Sequence, residues 1–472
     1  MAIFVRQDVW SVESESDPWD PLSLAYARSV SVMQSRPTDD PTSWSYQAAI
    51  HGTYQTLIAG ATWNQCQHSS WFFLPWHRMY LYWFERIVRS IVLSSGGPAD
   101  WALPYWNYGR DDNARALPPA FRTATLPDGS PNPLLVVNRA PGFNTGAKLS
   151  AGIVSADIAL GLLNFSPAPL PGFGGGVSAP TQFDTYAGQL ENIPHNIVHS
   201  QIGGLMGDPH TAAQDPIFWL HHANIDRIWN QWIGLGTGRA NPTDTAWLNP
   251  TFTLYNESGA SVTNRASDVL NTVSQLCYRY DCDPAPLLRR PAPALVKQPR
   301  RPLPPELVAA SDNAIQLAGR QTTAEIALPR VAQQAVQRAA ESVDAGHLYL
   351  NLEGLDVDGR HNVVYSVYFG PADVIDNAEV PSDYLVGYVS FFGAQHHRDR
   401  QARADGPQGL THTFDVTGVV RHLVANNRWN NETLSVTFTP LEIEQPPGQP
   451  ALERPDAGTA PGTIGRISVT RE

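Results

Sequence analysis

Residues 284–306 read PAPLLRRPAPALVKQPRRPLPPE. Proline lacks a backbone N–H and holds φ near one value, so neither a helix nor a central strand can run through such a stretch. The chain must therefore fold as two bodies, one on each side of it. The hydrophobic pattern changes across the break. Before it, 13 of the 14 Trp lie ahead of residue 250, in segments of helical spacing. After about residue 340, HLYLNLEGLDVDG, NVVYSVYFG, DYLVGYVSFFG, THTFDVTGVV and ETLSVTFTPLEI alternate apolar and polar residues between turn signals. The expected organisation is a mainly α domain over 1–283, built on a four-helix bundle core with long loops. A Pro-rich linker over 284–340, an all-β sandwich over 341–446 and a flexible tail over 447–472 follow. The linker carries Arg289, Arg290, Arg300 and Arg301. It reads either as a solvated spacer or as a protease-sensitive activation segment.

Five helices are expected in the first domain: Pro21 to Arg36, Pro41 to His51, Pro75 through WHRMYLYWFERIVRSIVL, Pro194 to about Gln201, and Asp215 to about Trp232. The formal net charge of −12 and the lack of any sizeable basic patch argue against nucleic acid and acidic membranes as partners. No run approaches the apolar length of a membrane span, and no secretory signal is evident, so a cytoplasmic protein is expected. Three cysteines cannot form a disulfide scaffold. Cys277 and Cys282 are close enough in sequence for a small-loop disulfide, although the reduced state is favoured.

Eight of the 14 His lie between His51 and His222. His51 falls late on one helix, His68 in a loop and His77 in the first turn of the next helix. His195 and His199 are four apart and share a helix face, and His222 lies on the following helix. The six form two imidazole trios without a thiolate pair or a carboxylate, a donor set that suits Zn, Cu, Fe or Ni. Structural zinc favours four ligands, usually with Cys. The HExxH hydrolase pattern fails because Asn196 follows His195. Two three-histidine sites with open positions fit a pair of copper ions sharing dioxygen.

The segments PWHRMYLYWFE around His77 and DPIFWLHHANIDRIW around His222 resemble the two copper motifs of the tyrosinase / polyphenol oxidase family of type-3 dicopper proteins. The resemblance covers roughly residues 45–235, and the Pro-rich linker with its β domain resembles the family's long members. It implies that His51, His68 and His77 bind copper A and that His195, His199 and His222 bind copper B, with His221 a neighbour of the ligands. It implies a thioether between Cys66 and His68, and it implies that Glu191 and Asn196 hold a water that takes the phenolic proton. Asp226 is read as a residue that orients a ligand imidazole or joins a buried ion pair. The aromatics Trp71, Phe72, Phe73, Trp76, Trp83, Phe218 and Trp219 are read as the dry wall of the site.

The implied activity is o-hydroxylation of monophenols and oxidation of o-diphenols to o-quinones with O2. The alternatives are an o-aminophenol oxidase, a diphenol-only catechol oxidase, and a dicopper protein that binds O2 without turnover. Expected partners are phenolic or o-aminophenolic small molecules and a copper-delivery protein, with the oligomeric state left open. The β domain is read either as a stabilising module or as a cap that pushes Phe391 or Phe392 into the copper cavity. His396 and His397, adjacent in an expected strand, are read as surface residues, and His210 as structural or surface.

Overall fold

The computed structural model describes residues 3–166, 171–283, 305–330, 333–334, 336–337, 346–359, 361–370, 382–396, 409–429, 432–445 and 461–471. The two Arg pairs, His397 and residues 446–460 lie outside these. Five helices carry the first region: α1 (Pro21–Ser35), α2 (Trp44–His51), α3 (Phe73–Ser94), α4 (Ile197–Ile202) and α5 (Ile217–Gly234). Local chemistry sets their starts. Asp20 accepts from Leu22 N ahead of Pro21, and Ser43 accepts from Tyr46 N. The long helix begins at Phe73, two residues before its proline, and the Pro194 segment opens as a wider-pitch turn over Glu191–Asn196 before α4.

Around these helices run loops packed by aromatics. Trp76, Trp106, Trp219, Trp229, Trp232 and Trp247 are fully buried. Strand β1 (Phe4–Arg6), the hairpin of β2 (Thr251–Tyr255) and β3 (Ser261–Arg265), and β4 (Tyr278–Tyr280) complete the region. β4 pairs in parallel with β1 and so closes the two ends of the region on each other.

The second region is a two-sheet sandwich. Its strands are β5 (Glu306–Ala310), β6 (Ile315–Leu317), β7 (Thr322–Ala327), β8 (Leu348–Val357), β9 (Tyr365–Phe369), β10 (Leu385–Val389), β11 (Leu410–Asp415), β12 (Thr433–Pro440) and β13 (Gly462–Arg471). One sheet has the order β10-β9-β12-β7 and the other β11-β8-β13-β5, with β6 added to β13. Leu350, Leu352, Leu355, Ile464 and Ile467 from one sheet meet Val367, Phe369, Val436 and Phe438 from the other in a shared core. A helix, α6 (Thr417–Ala425), covers part of it.

Two expected boundaries are corrected here. The sandwich starts at Glu306 and takes three strands from the segment read as linker, because ELVAA and TTAEIA are β-forming runs that find sheet partners more than a hundred residues away. The terminal segment read as tail supplies β13, an inner strand. Its ISV alternation was masked by the Pro/Gly/Ala-rich stretch before it.

The two regions touch along one face. Lys148 N donates to the Glu444 carbonyl at 2.9 Å, Arg115 pairs with the Glu444 carboxylate at 2.7 Å, and Thr411 N donates to the Thr185 carbonyl at 3.2 Å. Val364, Tyr388, Leu441 and Ile443 join the helical core rather than the sandwich core. Among the described residues no helix is long and apolar enough to cross a membrane.

Candidate dicopper site

His51 ends α2, His77 sits one turn into α3, and His68 stands in the loop between them. His195 lies in the wider-pitch turn, His199 on α4 and His222 on α5. All six are buried, and each trio brings its ligand atoms within 4.8 Å of one another. The trios face each other, with the His77 and His222 rings stacked at 4.4 Å and 10°.

Hydrogen bonding at the far side of each ring decides how the near side is aimed. Nδ1 of His51 bonds the Pro209 carbonyl (2.8 Å), that of His77 the Phe73 carbonyl (2.8 Å) and that of His199 the Met206 carbonyl (2.9 Å). Nδ1 of His195 faces Asn196 Oδ1 at 2.8 Å, and that of His68 faces Glu191 Oε1 at 3.1 Å. Every one of these partners is an acceptor, so the proton of each neutral ring sits on Nδ1 and the Nε2 lone pair points inward. Burial, reinforced by the neighbouring imidazoles, pushes His51, His68, His195 and His222 well below the ordinary histidine range, and burial brings His77 and His199 down to about 3.

His222 Nδ1 is buried without a partner. His51 and His68 Nε2, both held as lone pairs by their Nδ1 contacts, are 3.3 Å apart, and His222 Nε2 is 3.3 Å from His195 Nε2 and 3.4 Å from His199 Nε2. Metal–nitrogen bonds of about 2.0 Å at tetrahedral angles put nitrogens roughly 3.3 Å apart. The residues present thus fit a cation at the centre of each trio, and the all-imidazole donor set admits copper.

The surroundings are dry. Phe73 lies 4.7 Å from both His77 and His195, and Phe218 lies 4.2 Å from His222 and 4.9 Å from His51. Trp71, Phe72, Trp76 and Trp219 are buried in the same core, whereas Trp83 is further out and donates to Asn264. His221 is wholly buried, stacks on His195 at 5.3 Å, and has neither ring nitrogen hydrogen-bonded.

Glu191 and Asn196 each grip an imidazole, as given above. Glu191 Oε1 also accepts from Ser69 N at 2.8 Å, while Oε2 is buried without a partner. Burial, opposed by the Ser69 and Gly188 amides, raises the Glu191 carboxyl to about 8. The Cys66 thiol is buried, pushed upward by burial and free, and Gln182 Nε2 donates to its sulfur at 3.5 Å. Cys277 and Cys282 are not joined by a disulfide.

Asp226 orients no imidazole. It accepts from Arg6, Arg78, Tyr278 Oη (2.5 Å) and Tyr280 Oη (2.6 Å), one turn along α5 from His222. The two buried guanidinium groups take up the carboxylate.

The β region reaches the site through the turn after β10. Phe392 is buried, and its ring stacks on His199 at 4.4 Å and 17°, with His195 at 5.9 Å and His68 at 6.2 Å. Phe391 turns the other way into the sandwich core. His396, read as a surface residue, is buried against Asp208 and His210 of the helical region. The meeting of residues 392 and 199 has no local sequence signature. Only the FF pair ahead of a glycine hinted at it.

Comparison with known proteins agrees with this construction. Residues 41–152 and 165–235 match the common central domain of tyrosinase, 241–292 match the polyphenol oxidase middle domain, and 304–472 match a domain of unknown function. A tyrosinase, HcTyr1, from Hahella sp. (strain CCB-MM4) is 33% identical over 481 residues, covering 92% of this chain and 95% of that protein. A chloroplastic polyphenol oxidase from Vitis vinifera is 33% identical over 310 residues, 58% of this chain and 47% of the plant protein. Among solved structures, latent apple tyrosinase superposes with a TM-score of 0.63 at 23% identity, covering 100% of this chain and 98% of that one. That resemblance shows a shared fold of helical core plus C-terminal sheets. The near full-length identity to a tyrosinase, with the tyrosinase central domain falling across both histidine trios, places this chain in the tyrosinase / polyphenol oxidase family of copper oxidoreductases.

Proposed function

We propose that the chain holds one copper ion among His51, His68 and His77 and a second among His195, His199 and His222, and that it oxidises monophenols and o-diphenols to o-quinones. The carrying observation is the pair of buried, facing trios whose Nε2 atoms converge at 3.3–3.4 Å, the spacing that bonds to one central ion require. When bound, copper supplies dioxygen binding and the two-electron redox chemistry. A monophenol and one O2 give the o-quinone and one water, and an o-diphenol uses half an O2 for the same products.

The chain's own residues do the rest. The Nδ1 contacts fix each ring, so the site is preorganised. His222 rather than His221 takes the metal because its Nε2 is the one that meets His195 and His199. Phe73 and Phe218 exclude water. Glu191 Oε2 is left without a partner, and in this reading a water held there and by Asn196 accepts the phenolic proton. A thioether between Cys66 and His68 would remove one hydrogen from sulfur and one from the ring carbon, with dioxygen as the oxidant. The intact mass of protein matured with copper in air would then be lower by two hydrogens, and a Cys66→Ser variant would show no such loss.

Phe392 stacked on His199 occupies the place of a substrate ring, which makes the full chain a latent enzyme. The test is oxygen uptake by copper-loaded protein on monophenols, catechols and o-aminophenols, before and after limited proteolysis within 284–304. Uptake on phenols and catechols that rises after cleavage is expected. No uptake on any of the three classes after cleavage overturns the oxidase reading and leaves reversible oxygen binding.

A further inference from the structure

A third cluster of ligating side chains lies at the seam between the two regions. Asp208 and His210 come from the loop after α4, and His396 comes from the same turn that carries Phe392. Gly393, at φ +80°, makes that turn possible: it sends Phe392 to the histidine trios and His396 to Asp208. Asp208 is wholly buried and His396 nearly so, while His210 is partly exposed.

The donor atoms are close together. His210 Nδ1 is 3.0 Å from His396 Nε2, His396 Nε2 is 3.2 Å from Asp208 Oδ1, and His210 Nδ1 is 4.0 Å from the same oxygen. Their surroundings hold them in place: the Tyr54 hydroxyl donates to Asp208 Oδ2 at 2.7 Å and accepts from Gln395 Nε2 at 3.1 Å, and Gln395 Nε2 lies 2.9 Å from His396 Nε2. A cation between the two nitrogens and the oxygen would meet three donor atoms within 4.0 Å of one another.

We infer that Asp208, His210 and His396 form a binding site for a single divalent cation of the zinc class, distinct from the two histidine trios. Two imidazoles and a carboxylate with one position left for water are a familiar zinc donor set, and tetrahedral bonds of about 2.0 Å require donor separations of roughly 3.3 Å, which the three distances bracket. Packing fixes the rings, with Tyr54 stacked on His210 at 4.9 Å and Phe183 on His396 at 5.2 Å. The exposed Tyr54 edge gives the ion a path from solvent. An ion here would clamp the turn that holds Phe392 in place. That consequence rests on the dicopper reading, but the binding of zinc does not.

The test uses the full chain. After loading with copper, protein is equilibrated with Zn2+ and its metals are counted by elemental analysis, alongside His210→Gln and His396→Gln variants whose circular dichroism matches the wild type. One zinc per chain in the wild type, lost in both variants with copper content unchanged, is expected. No zinc in the wild type, or zinc retained by either variant, overturns the site. Zinc-edge X-ray absorption on the wild type serves if the variants do not fold. A shell of two imidazoles completed by oxygen is expected, and a shell of three imidazoles places the ion in a histidine trio and overturns the inference. The copper count reports on the dicopper reading separately.

Discussion

A single atom pair at Glu191 carries two roles. Oε1 is engaged by His68 Nδ1 and Ser69 N, and Oε2 is left over. Glu191→Gln preserves the shape and the Ser69 bond but removes the carboxyl group that can exchange a proton. Loss of proton acceptance costs typically 10²–10⁴-fold in rate, so kcat/KM on a monophenol should fall by about a hundredfold and that on the matching catechol by much less. Equal falls on the two substrates would leave Glu191 only the task of holding His68. A second residue-scale prediction concerns Glu13, which is buried, accepts from Ser23 and from Ala120 N, and is raised by burial to about 8. Its folded pKa lies above the unfolded value, so the native state binds the extra proton. Glu13's contribution to stability is therefore fully present below about pH 4.5 and is lost as pH rises through about 8. Glu13→Gln should flatten that decline, seen as a smaller fall of Tm between pH 5 and 8. Much of this scale was legible in the sequence, because HxxxH and HH spacing fix which rings share a face. What was not legible is pairing across the chain: nothing near Asp226 announces Arg6 as its partner, and nothing near His210 announces His396.

Elements explain why these residues stay put. β1 and β4 pair in parallel at opposite ends of the helical region, and the pairing delivers Arg6, Tyr278 and Tyr280 to Asp226 on α5, where Arg78 arrives from α3. Removing one partner of a buried ion pair leaves an uncompensated charge and costs about 3–5 kcal/mol. Asp226→Ala strands two guanidinium groups, so its urea midpoint should drop by a corresponding amount, whereas Tyr278→Phe removes one hydrogen bond and should cost about 1 kcal/mol. The turn after β10 is the second telling element. Phe392 fills space against His199 that the substrate needs, so its removal trades stability for access. Phe392→Ala should lose about 3 kcal/mol of stability and raise the oxygen uptake of the uncut chain severalfold. Unchanged uptake would mean that Phe392 does not gate the site. The helices were readable from their caps and apolar period. The turn was not, since its aim depends on how the sandwich sits on the helical region.

At the scale of the whole molecule, the latency proposed above would depend on β13, which stands inside its sheet. β13 pairs with β8 along nine residues and with β5 and β6 on its other side. Composition concealed it, because the Pro/Gly/Ala-rich run ahead of it reads as a tail, and its pairing partners precede it by more than a hundred residues. Ile464, Ile467 and Val469 are buried in the sandwich core, and each contributes about 2 kcal/mol by burial. Deleting them also leaves β8 with an unpaired edge. A domain's net stability is only about 5–15 kcal/mol, so a chain ending at Gln445 should lose the sandwich altogether. The helical region has its own core and its own β1–β4 closure, and none of the six ligand histidines lies beyond His222. The truncated chain should therefore keep two coppers, lose the β-sheet contribution to its circular dichroism, and take up oxygen on catechol as fast as the full chain cut within 284–304. It should also associate more readily, because the helical face that Val364, Leu441 and Ile443 cover would be uncovered. Loss of copper on truncation would show instead that the sandwich is part of what keeps the trios assembled, and that its seat on the helical core is structural before it is regulatory.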